Sequence, residues 1–375
     1  MLSALMRSLQ RFPLRRAWTP LNFSNPNFGI IAPDQRVKEE TVPGYLASRY
    51  YPDSHWRSNQ GQISNCRQTR VWGYFDCLAG TRYGTDRQRS YVTLKIYVDA
   101  ASMGEHVDDE LKIYERISQA SRHPGHRAVR PLIESFNIEG PGDKHQCLVH
   151  PPLFESIRHF LHRNPIQRLP TPILAFTLHQ LFSALDHTEC RVVHTDIKAD
   201  NIMFTFADDE PFKLFEQEEL QDPSPRKEED GRTIYLSREL KIQPAKLGAP
   251  ILCDFGSAAI GGIEHYEDIQ PNHYRAPEVI LEAPWSYSAD IWNVGCMIWN
   301  IFEGGSLFTG HDPESQAYKS KAHLAELIDL FGPPPASLLA CGKRSERFFS
   351  ETGNFLETSL LKEHTPLEKR ETTLD

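Results

Sequence analysis

Three polar residues in the segment VVHTDIKADNIMF (192–204) have the types and spacing that phosphoryl transfer requires. Asp196 can orient and deprotonate an attacking hydroxyl, Lys198 can neutralise a transferring phosphate, and Asn201 can bind magnesium through its amide oxygen. Apolar residues flank the segment, which predicts a tight loop between two short strands. The same residue types also occur in polar turns that join two strands and have no catalytic role. This segment alone therefore leaves both interpretations open.

A second carboxylate follows in ILCDFGSAA (251–259), where an apolar run predicts a strand that ends at Asp254 beside a glycine. From that position the carboxylate can bind a magnesium ion that bridges two phosphates of a nucleotide. The motif YRAPEVIL (274–281) and then Asp290 come next along the chain. Each motif is weak alone, but the three rarely occur in this order and spacing by chance.

Two residues in the N-terminal half suit the phosphates of a nucleotide. Lys95 lies in SYVTLKIYV (90–98), which has a strand pattern, and Glu110 lies in VDDELKIYERI (107–117), which has helical spacing. A strand lysine can bind the α- and β-phosphates, and a helical glutamate can hold that lysine in place. A surface lysine and a solvated glutamate are the ordinary alternative for each residue alone.

Taken together, these motifs resemble the eukaryotic protein kinases. The stretches HTDIKADNI, CDFGSA and EETVPGYLASRYYP (39–52) are most similar to the fungal form of the serine/arginine-rich protein kinase family. The resemblance covers residues 37–375. It implies an α+β, two-lobed protein kinase fold, with a small antiparallel β lobe that carries one helix and a larger helical lobe. It also implies transfer of the γ-phosphate of ATP to Ser and Thr hydroxyls, with Arg/Ser-rich proteins as substrates.

The resemblance assigns roles in catalysis to four residues. It implies that Asp196 is the catalytic base, that Lys198 contacts the γ-phosphate, and that Asn201 and Asp254 bind Mg²⁺. Asn201 is thereby both a catalytic-loop residue and a metal ligand.

The same resemblance implies that Lys95 and Glu110 bind ATP and that the hinge between the lobes lies at HPPL (150–153). Adenine would then use the carbonyl of Pro151 and the N–H of Leu153. Because proline has no N–H, Leu153 is the one residue of the PPL triplet that can donate.

Four segments are expected along the chain: a basic tail at 1–36, an N-lobe at 37–153, a C-lobe at 154–375 and an acid-rich surface insertion at 206–249. The tail is rich in arginine and has no acid before Asp34, which is typical of a mitochondrial presequence or of a disordered basic arm. The C-lobe is expected to be incomplete, because the family's arginine partner for Glu278 has no match before Asp375.

The glycine-rich phosphate loop of the family is missing between Pro52 and Lys95. In its place stands a mixture of residues that fits neither a clean strand nor a loop. Removing one base from the Asp53 codon allows a translation with the family's pattern, GKLGFGVISTVW. Tryptophan has a single codon, so the shifted codons that start in Trp56 and Trp72 must encode glycine, as the pattern requires. We therefore hypothesise that residues 53–85 are an out-of-frame translation of the loop, with a genuine divergent insertion as the alternative.

Composition limits the remaining classes. The net charge of -9 argues against a general nucleic-acid binder and suits a cationic peptide partner. No apolar run predicts a membrane span, and seven scattered cysteines predict free thiols in a reducing compartment. A monomer in the cytoplasm or nucleus is expected, with the mitochondrion as the alternative that the tail suggests.

Two other functions fit parts of the pattern. A pseudokinase that serves as a binding or scaffold protein would explain the missing glycine loop, but intact DxKxxN and DFG motifs argue against a long loss of function. A small-molecule phosphotransferase shares an H-x-D…N loop, but Lys198 and the A-P-E motif disfavour it. Magnesium-dependent ATP binding and a comparison of Arg/Ser peptides with small alcohols separate these alternatives.

Thr195 stands where many kinases have the arginine that binds a phosphorylated activation loop. The segment from Asp254 to Glu278 is short and contains no threonine. Activity is therefore predicted not to need phosphorylation of that segment.

Overall fold

The fold is described from a computed structural model. It defines residues 25–37, 40, 45–51, 63–72, 75–83, 89–98, 109–119, 122–140, 144–186, 190–229, 232–236, 238, 240, 242 and 246–373. The arginines at the start of the predicted presequence and the start of the proposed out-of-frame segment, 53–62, lie outside these residues.

The N-terminal lobe is built on one five-stranded antiparallel sheet with the strand order β1-β2-β3-β5-β4. Val92, Leu94 and Ile96 alternate along β3 and pack with Val149 of β5 in a buried cluster on one face of the sheet. Within the described residues of this lobe, the sheet and its one α-helix, α1, confirm the expected small β lobe. Their bounds are β1 Ile63–Trp72, β2 Phe75–Tyr83, β3 Arg89–Tyr97, α1 Asp109–Gln119, β4 Glu134–Glu139 and β5 Lys144–His150.

The segment that replaces the glycine loop forms the hairpin β1–β2, which corrects the interpretation that it fits neither strand nor loop. Cys77 of β2 pairs with Lys95 of β3, so the hairpin continues the sheet beside the nucleotide-binding lysine. Two irregularities interrupt the β1–β2 register, at Ser64/Arg67 and at Gln68/Arg70. Backbone hydrogen bonds tolerate most side chains, which explains why an irregular pattern still forms strands. The pairing of β1, β2 and β3 does not test the reading-frame hypothesis.

The C-terminal lobe is mainly helical. Long helices form where apolar spacing predicts them, and short strand pairs lie between them. The elements before the D-F-G motif are α2 Ile157–Arg163, α3 Thr171–Leu185, β6 Val192–Val193, β7 Ile202–Phe206, α4 Glu210–Gln221, β8 Arg226–Glu229, β9 Arg232–Tyr235 and β10 Leu247–Leu252. Those after it are β11 Ala259–Ile260, α5 Pro277–Ile280, α6 Tyr287–Glu303, β12 His311–Asp312, β13 Ala317–Tyr318, α7 Ser320–Phe331, α8 Ala336–Cys341, α9 Ser345–Phe348 and α10 Leu367–Arg370.

Helix α3 packs its apolar stripe against the core of this lobe, as its spacing predicts. Leu174 and Leu181 are buried, and Leu178 and Leu185 pack against the same cluster. The Phe182 side chain, in contrast, is 46% exposed. It lies one residue beyond Leu181, which turns it by about 100° towards the edge of the stripe.

The acid-rich insertion is more ordered than a surface loop. Its helix α4 packs against the sheet of the other lobe, where the Phe212 ring stacks on Tyr91 of β3 with centroids 4.8 Å apart. The Tyr91 hydroxyl donates a hydrogen bond of 3.1 Å to Glu216 of the same helix. The insertion therefore contacts both lobes directly.

The described part of the predicted tail packs on this insertion. The N–H of Ile31 donates to the carbonyl of Arg226 at 3.0 Å, and the Arg226 guanidinium lies 3.2 Å from the centroid of the Phe28 ring. Lys227, which is buried, pairs with Glu40 at 2.9 Å. Residues 25–37 thus belong to the folded protein.

Across the described ranges, no helix has both the length and the apolar character needed to cross a membrane. The five cysteines whose side chains the structure describes are free thiols, in agreement with their scattered positions: Cys147, Cys190, Cys253, Cys296 and Cys341.

Candidate active site

The catalytic loop between β6 and β7 brings its three polar residues together. Lys198 Nζ lies 2.7 Å from Asp196 Oδ2. The amide nitrogen of Asn201 donates to the Asp196 backbone oxygen at 2.9 Å and to Asp196 Oδ2 at 3.0 Å. Two donors therefore fix the Asp196 carboxylate at the cleft, while its side chain stays 22% exposed. The loop presents a carboxylate that a hydroxyl substrate can reach.

A buried carboxylate on α6 holds the backbone of this loop. Asp290 accepts hydrogen bonds from the N–H of His194 at 2.7 Å and from the N–H of Thr195 at 2.8 Å. Thr195 has a φ of +67°, which is rare for a β-branched residue and needs such support. His194 also connects Cys253 and the Asp196 backbone through its two ring nitrogens. Asp290 is therefore a structural support for the catalytic loop.

Lys95 joins the two lobes through a pair of carboxylates. Its Nζ lies 2.6 Å from Glu110 Oε2 on α1 and 3.0 Å from Asp254 Oδ1. Burial alone would lower the pKa of Lys95, but the two carboxylates outweigh it and raise that pKa well above its usual range. Tyr97 donates a second hydrogen bond to Glu110 Oε2. The lysine is charged and held in the position from which it can bind phosphates.

Asp254 and Asn201 provide a donor set that suits Mg²⁺. Burial alone would raise the pKa of Asp254, but the nearby Lys95 holds it below its ordinary value, so the carboxylate is ionised at neutral pH. The Asn201 nitrogen donates to Asp196, which leaves its Oδ1 as the atom able to bind a cation. No group of three or more His, Cys, Asp or Glu side chains forms a metal cluster among the residues described. Mg²⁺ commonly takes only one or two protein ligands and completes its shell with phosphates and water.

A chain of inclined and edge-to-face ring contacts connects the hinge to the catalytic loop. The centroid distances are 5.0 Å from His150 to Tyr114, 5.4 Å from Tyr114 to Phe255, and 4.9 Å from Phe255 to His194. Tyr114 follows Glu110 by one helical turn on α1, so these ring contacts also fix the helix that carries Glu110. The geometry of the Lys95 pair and of the catalytic loop is therefore coupled by packing.

The predicted hinge residues follow β5 directly. No residue of the described ranges accepts a hydrogen bond from the N–H of Leu153, so that donor is available to a base. The carbonyl of Pro151, in contrast, already accepts two hydrogen bonds from the Arg130 side chain. His150, the last residue of β5, is fully buried. Burial and the nearby Arg130 cation lower the pKa of His150 well below its usual value, so the ring is neutral.

The activation segment is attached to the catalytic loop without a phosphate. The Thr195 hydroxyl donates a hydrogen bond of 2.7 Å to the carbonyl of Ser257, three residues after Asp254. A neutral hydroxyl replaces the arginine that would need a phosphate as its partner. We predict that phosphatase treatment leaves the kinase activity unchanged, as measured by peptide phosphorylation before and after treatment. A large loss of activity would contradict this prediction.

Glu278 of the A-P-E motif is partly buried and has no cationic partner in the described part of the chain. The Ser288 hydroxyl donates a hydrogen bond of 3.5 Å to its carboxylate. Burial raises the pKa of the Glu278 carboxyl above its ordinary value. The folded state therefore favours the protonated form, and ionisation at neutral pH opposes folding.

Replacement of Glu278 by Gln should raise the free energy of unfolding at pH 7, because glutamine carries no charge. A carboxyl whose pKa is raised on folding stabilises the protein below its unfolded pKa of about 4.3 and loses that contribution as the pH rises. The advantage of the variant should thus disappear near pH 4. Urea unfolding at both pH values measures it, and a variant that is less stable at pH 7 would show that ionised Glu278 has a favourable partner.

Sequence reasoning placed all four residues of the catalytic loop and the D-F-G strand, but it missed several residues that support them. Tyr97 is two positions from Lys95 on the same face of β3, a spacing that could have indicated its contact with Glu110. No nearby sequence pattern indicates that Asp290 binds the catalytic loop or that Arg130 binds the hinge.

Comparison with known proteins agrees with this geometry. A family model described as a protein kinase domain matches residues 242–365. A serine/threonine protein kinase of Aspergillus fumigatus is 34% identical over 359 residues, which cover 92% of this chain and 84% of that protein. The serine/threonine-protein kinase SRPK of Physarum polycephalum is 28% identical, over 84% of this chain and 78% of that protein. The dual specificity protein kinase CLK2 of Mus musculus is 29% identical, over 83% and 54%.

The fold, the site and these similarities define a protein kinase. The chain belongs to the eukaryotic serine/threonine protein kinases that are related to the SR-protein kinases. The pseudokinase alternative finds no support among the relatives.

Proposed function

We propose that this kinase uses MgATP at the cleft between the sheet and the helical lobe. The observation that carries the proposal is the assembled Lys95–Glu110–Asp254 group beside the Asp196–Lys198–Asn201 loop. Both the lysine–glutamate pair and the D-F-G aspartate must be in place for phosphoryl transfer in this class of enzyme. ATP and Mg²⁺ are the usual nucleotide and metal of the protein kinase family.

Some residues of the site bind the nucleotide and the metal, and others take part in phosphoryl transfer. Lys95, kept charged by Glu110, binds the α- and β-phosphates, and the N–H of Leu153 donates to the purine ring. Asp254 and Asn201 hold the metal, which when bound neutralises charge on the phosphate oxygens. The phosphates therefore lie between the sheet and the D-F-G strand.

Transfer itself needs a hydroxyl aligned with the γ-phosphorus. Asp196 accepts a hydrogen bond from the Ser or Thr hydroxyl and takes its proton as the oxygen bonds to phosphorus. The bond from that phosphorus to the bridging oxygen breaks, and ADP leaves with the electron pair. Lys198 stabilises the transferring group, since it lies 2.7 Å from the carboxylate that orients the nucleophile.

We infer that the substrates are proteins with serines near arginines. The support is the similarity to a protein named SRPK, together with the net charge of -9, which favours cationic partners. The test compares an Arg/Ser repeat peptide with the same peptide in which lysine replaces arginine, and with small alcohols. Faster phosphorylation of the arginine peptide is expected. Equal rates for the two peptides would reject the arginine preference, and transfer to the alcohols alone would reject a protein substrate.

A further inference from the structure

The carbonyl of Pro151, in the predicted hinge, already accepts hydrogen bonds within the protein. Arg130 donates to this oxygen from Nε at 3.2 Å and from Nη2 at 3.0 Å. A carbonyl oxygen has two lone pairs, so two donors fill its ordinary capacity. The 6-amino group of adenine is a donor as well and would have to compete with both bonds.

The backbone of Arg130 fixes where its side chain begins. Its N–H donates to the carbonyl of Leu252 at 2.8 Å, two residues before Asp254, and Val129 forms a bridge with the same residue. Arg130 thus starts at the strand that leads into the D-F-G motif and ends at the hinge.

Among the described residues, no carboxylate forms a salt bridge with the Arg130 guanidinium. Its charge acts at longer range on buried groups that include Glu110 and His150. Moving Arg130 outward would break two charge-assisted hydrogen bonds with the hinge. The conformation in which Arg130 binds the Pro151 carbonyl is therefore the favoured one.

We propose that Arg130, in place of the Pro151 carbonyl, faces the C6 position of the purine and makes the 6-amino group dispensable for binding. The inference rests on the proposed nucleotide site at residues 151–153. A guanidinium has only donors, so it cannot accept from a 6-amino group but can donate to a 6-oxo group. Discrimination between purines with and without a 6-amino group is consequently weak in this kinase, and recognition of the ring depends on the N–H of Leu153.

Equilibrium binding of three nucleotides to the full chain tests this directly. ATP is compared with purine riboside 5′-triphosphate, which lacks only the 6-amino group, and inosine triphosphate serves as the 6-oxo probe. For the wild-type protein, ATP and the purine triphosphate should bind within about twofold of each other. In Arg130→Leu the Pro151 carbonyl is free, so ATP should bind about tenfold tighter than the purine triphosphate, as expected for one added hydrogen bond. The same variant should weaken the binding of inosine triphosphate.

Two further variants keep the outcome decisive. Arg127→Leu replaces an exposed arginine of the same segment and should leave the ratio of affinities at its wild-type value. Arg130→Met also removes every N–H donor while keeping a long side chain, and it replaces Arg130→Leu if that variant does not fold. A tenfold preference for ATP in the wild-type protein, or equal ratios in wild type and Arg130→Leu, would overturn the inference. If neither protein binds any nucleotide, the proposed nucleotide site fails and the inference with it.

Discussion

Replacement of Asp196 by Asn should lower kcat by about 100- to 10,000-fold, the usual contribution of a general base. The amide keeps an oxygen that can accept from Lys198 and Asn201, but it cannot take the hydroxyl proton. Binding of ATP should therefore stay close to that of the wild-type protein, because Asp196 contacts the protein substrate. Steady-state rates and a direct binding measurement together separate the two effects.

Asp200→Asn is the matched control for this variant. Asp200 lies four residues away in the same loop region and pairs with Arg158 at 3.7 Å. Partly exposed ion pairs contribute little, so this variant should retain near wild-type kcat. A similar loss in both variants would indicate general damage to the loop, and an active Asp196→Asn protein would exclude Asp196 as the base.

Replacement of Lys95 by Met should abolish MgATP-dependent activity and also destabilise the fold. Lys95 is buried between Glu110 and Asp254, so its removal leaves two carboxylates close together without a cation. Removing one partner of a buried ion pair costs about 3–5 kcal/mol. Lys112→Met is the control, because Lys112 is 59% exposed and pairs only with Asp109 of its own helix. Urea unfolding and peptide phosphorylation measure the two losses.

A second substitution separates the loss of stability from the loss of activity. Glu110→Gln in the Lys95→Met background removes one uncompensated charge and should recover part of the free energy of unfolding. Activity should not return, since no cation then binds the α- and β-phosphates. Recovery of activity in the double variant would show that Lys95 acts through stability alone.

The motifs that could be predicted are those in which neighbours along the chain do the chemistry together. Asp196, Lys198 and Asn201 lie within six positions, and the loop that joins two short strands keeps them close in space. The strand that carries Lys95 and the helix that carries Glu110 were predicted by their periodicity. Their contact at 2.6 Å then followed from the family resemblance.

The supporting contacts could not be predicted because they join distant parts of the chain. Asp290 lies 96 residues from His194, and nothing in the sequence of α6 indicates that its carboxylate holds the catalytic loop. The same is true of Thr195 and Ser257, and of the packing between α4 and the sheet at Tyr91 and Phe212. The first two contacts depend on how distant segments pack within the C-terminal lobe, and the third depends on how the insertion packs against the sheet.

In the region of the missing glycine loop, the structure itself does not distinguish a natural sequence from an out-of-frame one. Strand β1 pairs with β2, and β2 pairs with β3, through backbone groups that every residue except proline supplies in the same form. Pairing therefore says little about whether residues 53–85 are the natural loop. Transcript sequence across these codons tests the reading-frame hypothesis, and an in-frame message that encodes the chain as printed would reject it.

The most direct test of the whole account is transfer of labelled γ-phosphate from ATP to serine in an Arg/Ser repeat peptide. The reaction is run with the full chain, with and without Mg²⁺, beside Asp196→Asn. We expect phosphoserine only with Mg²⁺ and the wild-type protein. ATP binding without any label on serine or threonine would contradict the assignment of Asp196, Asn201 and Asp254 to phosphoryl transfer.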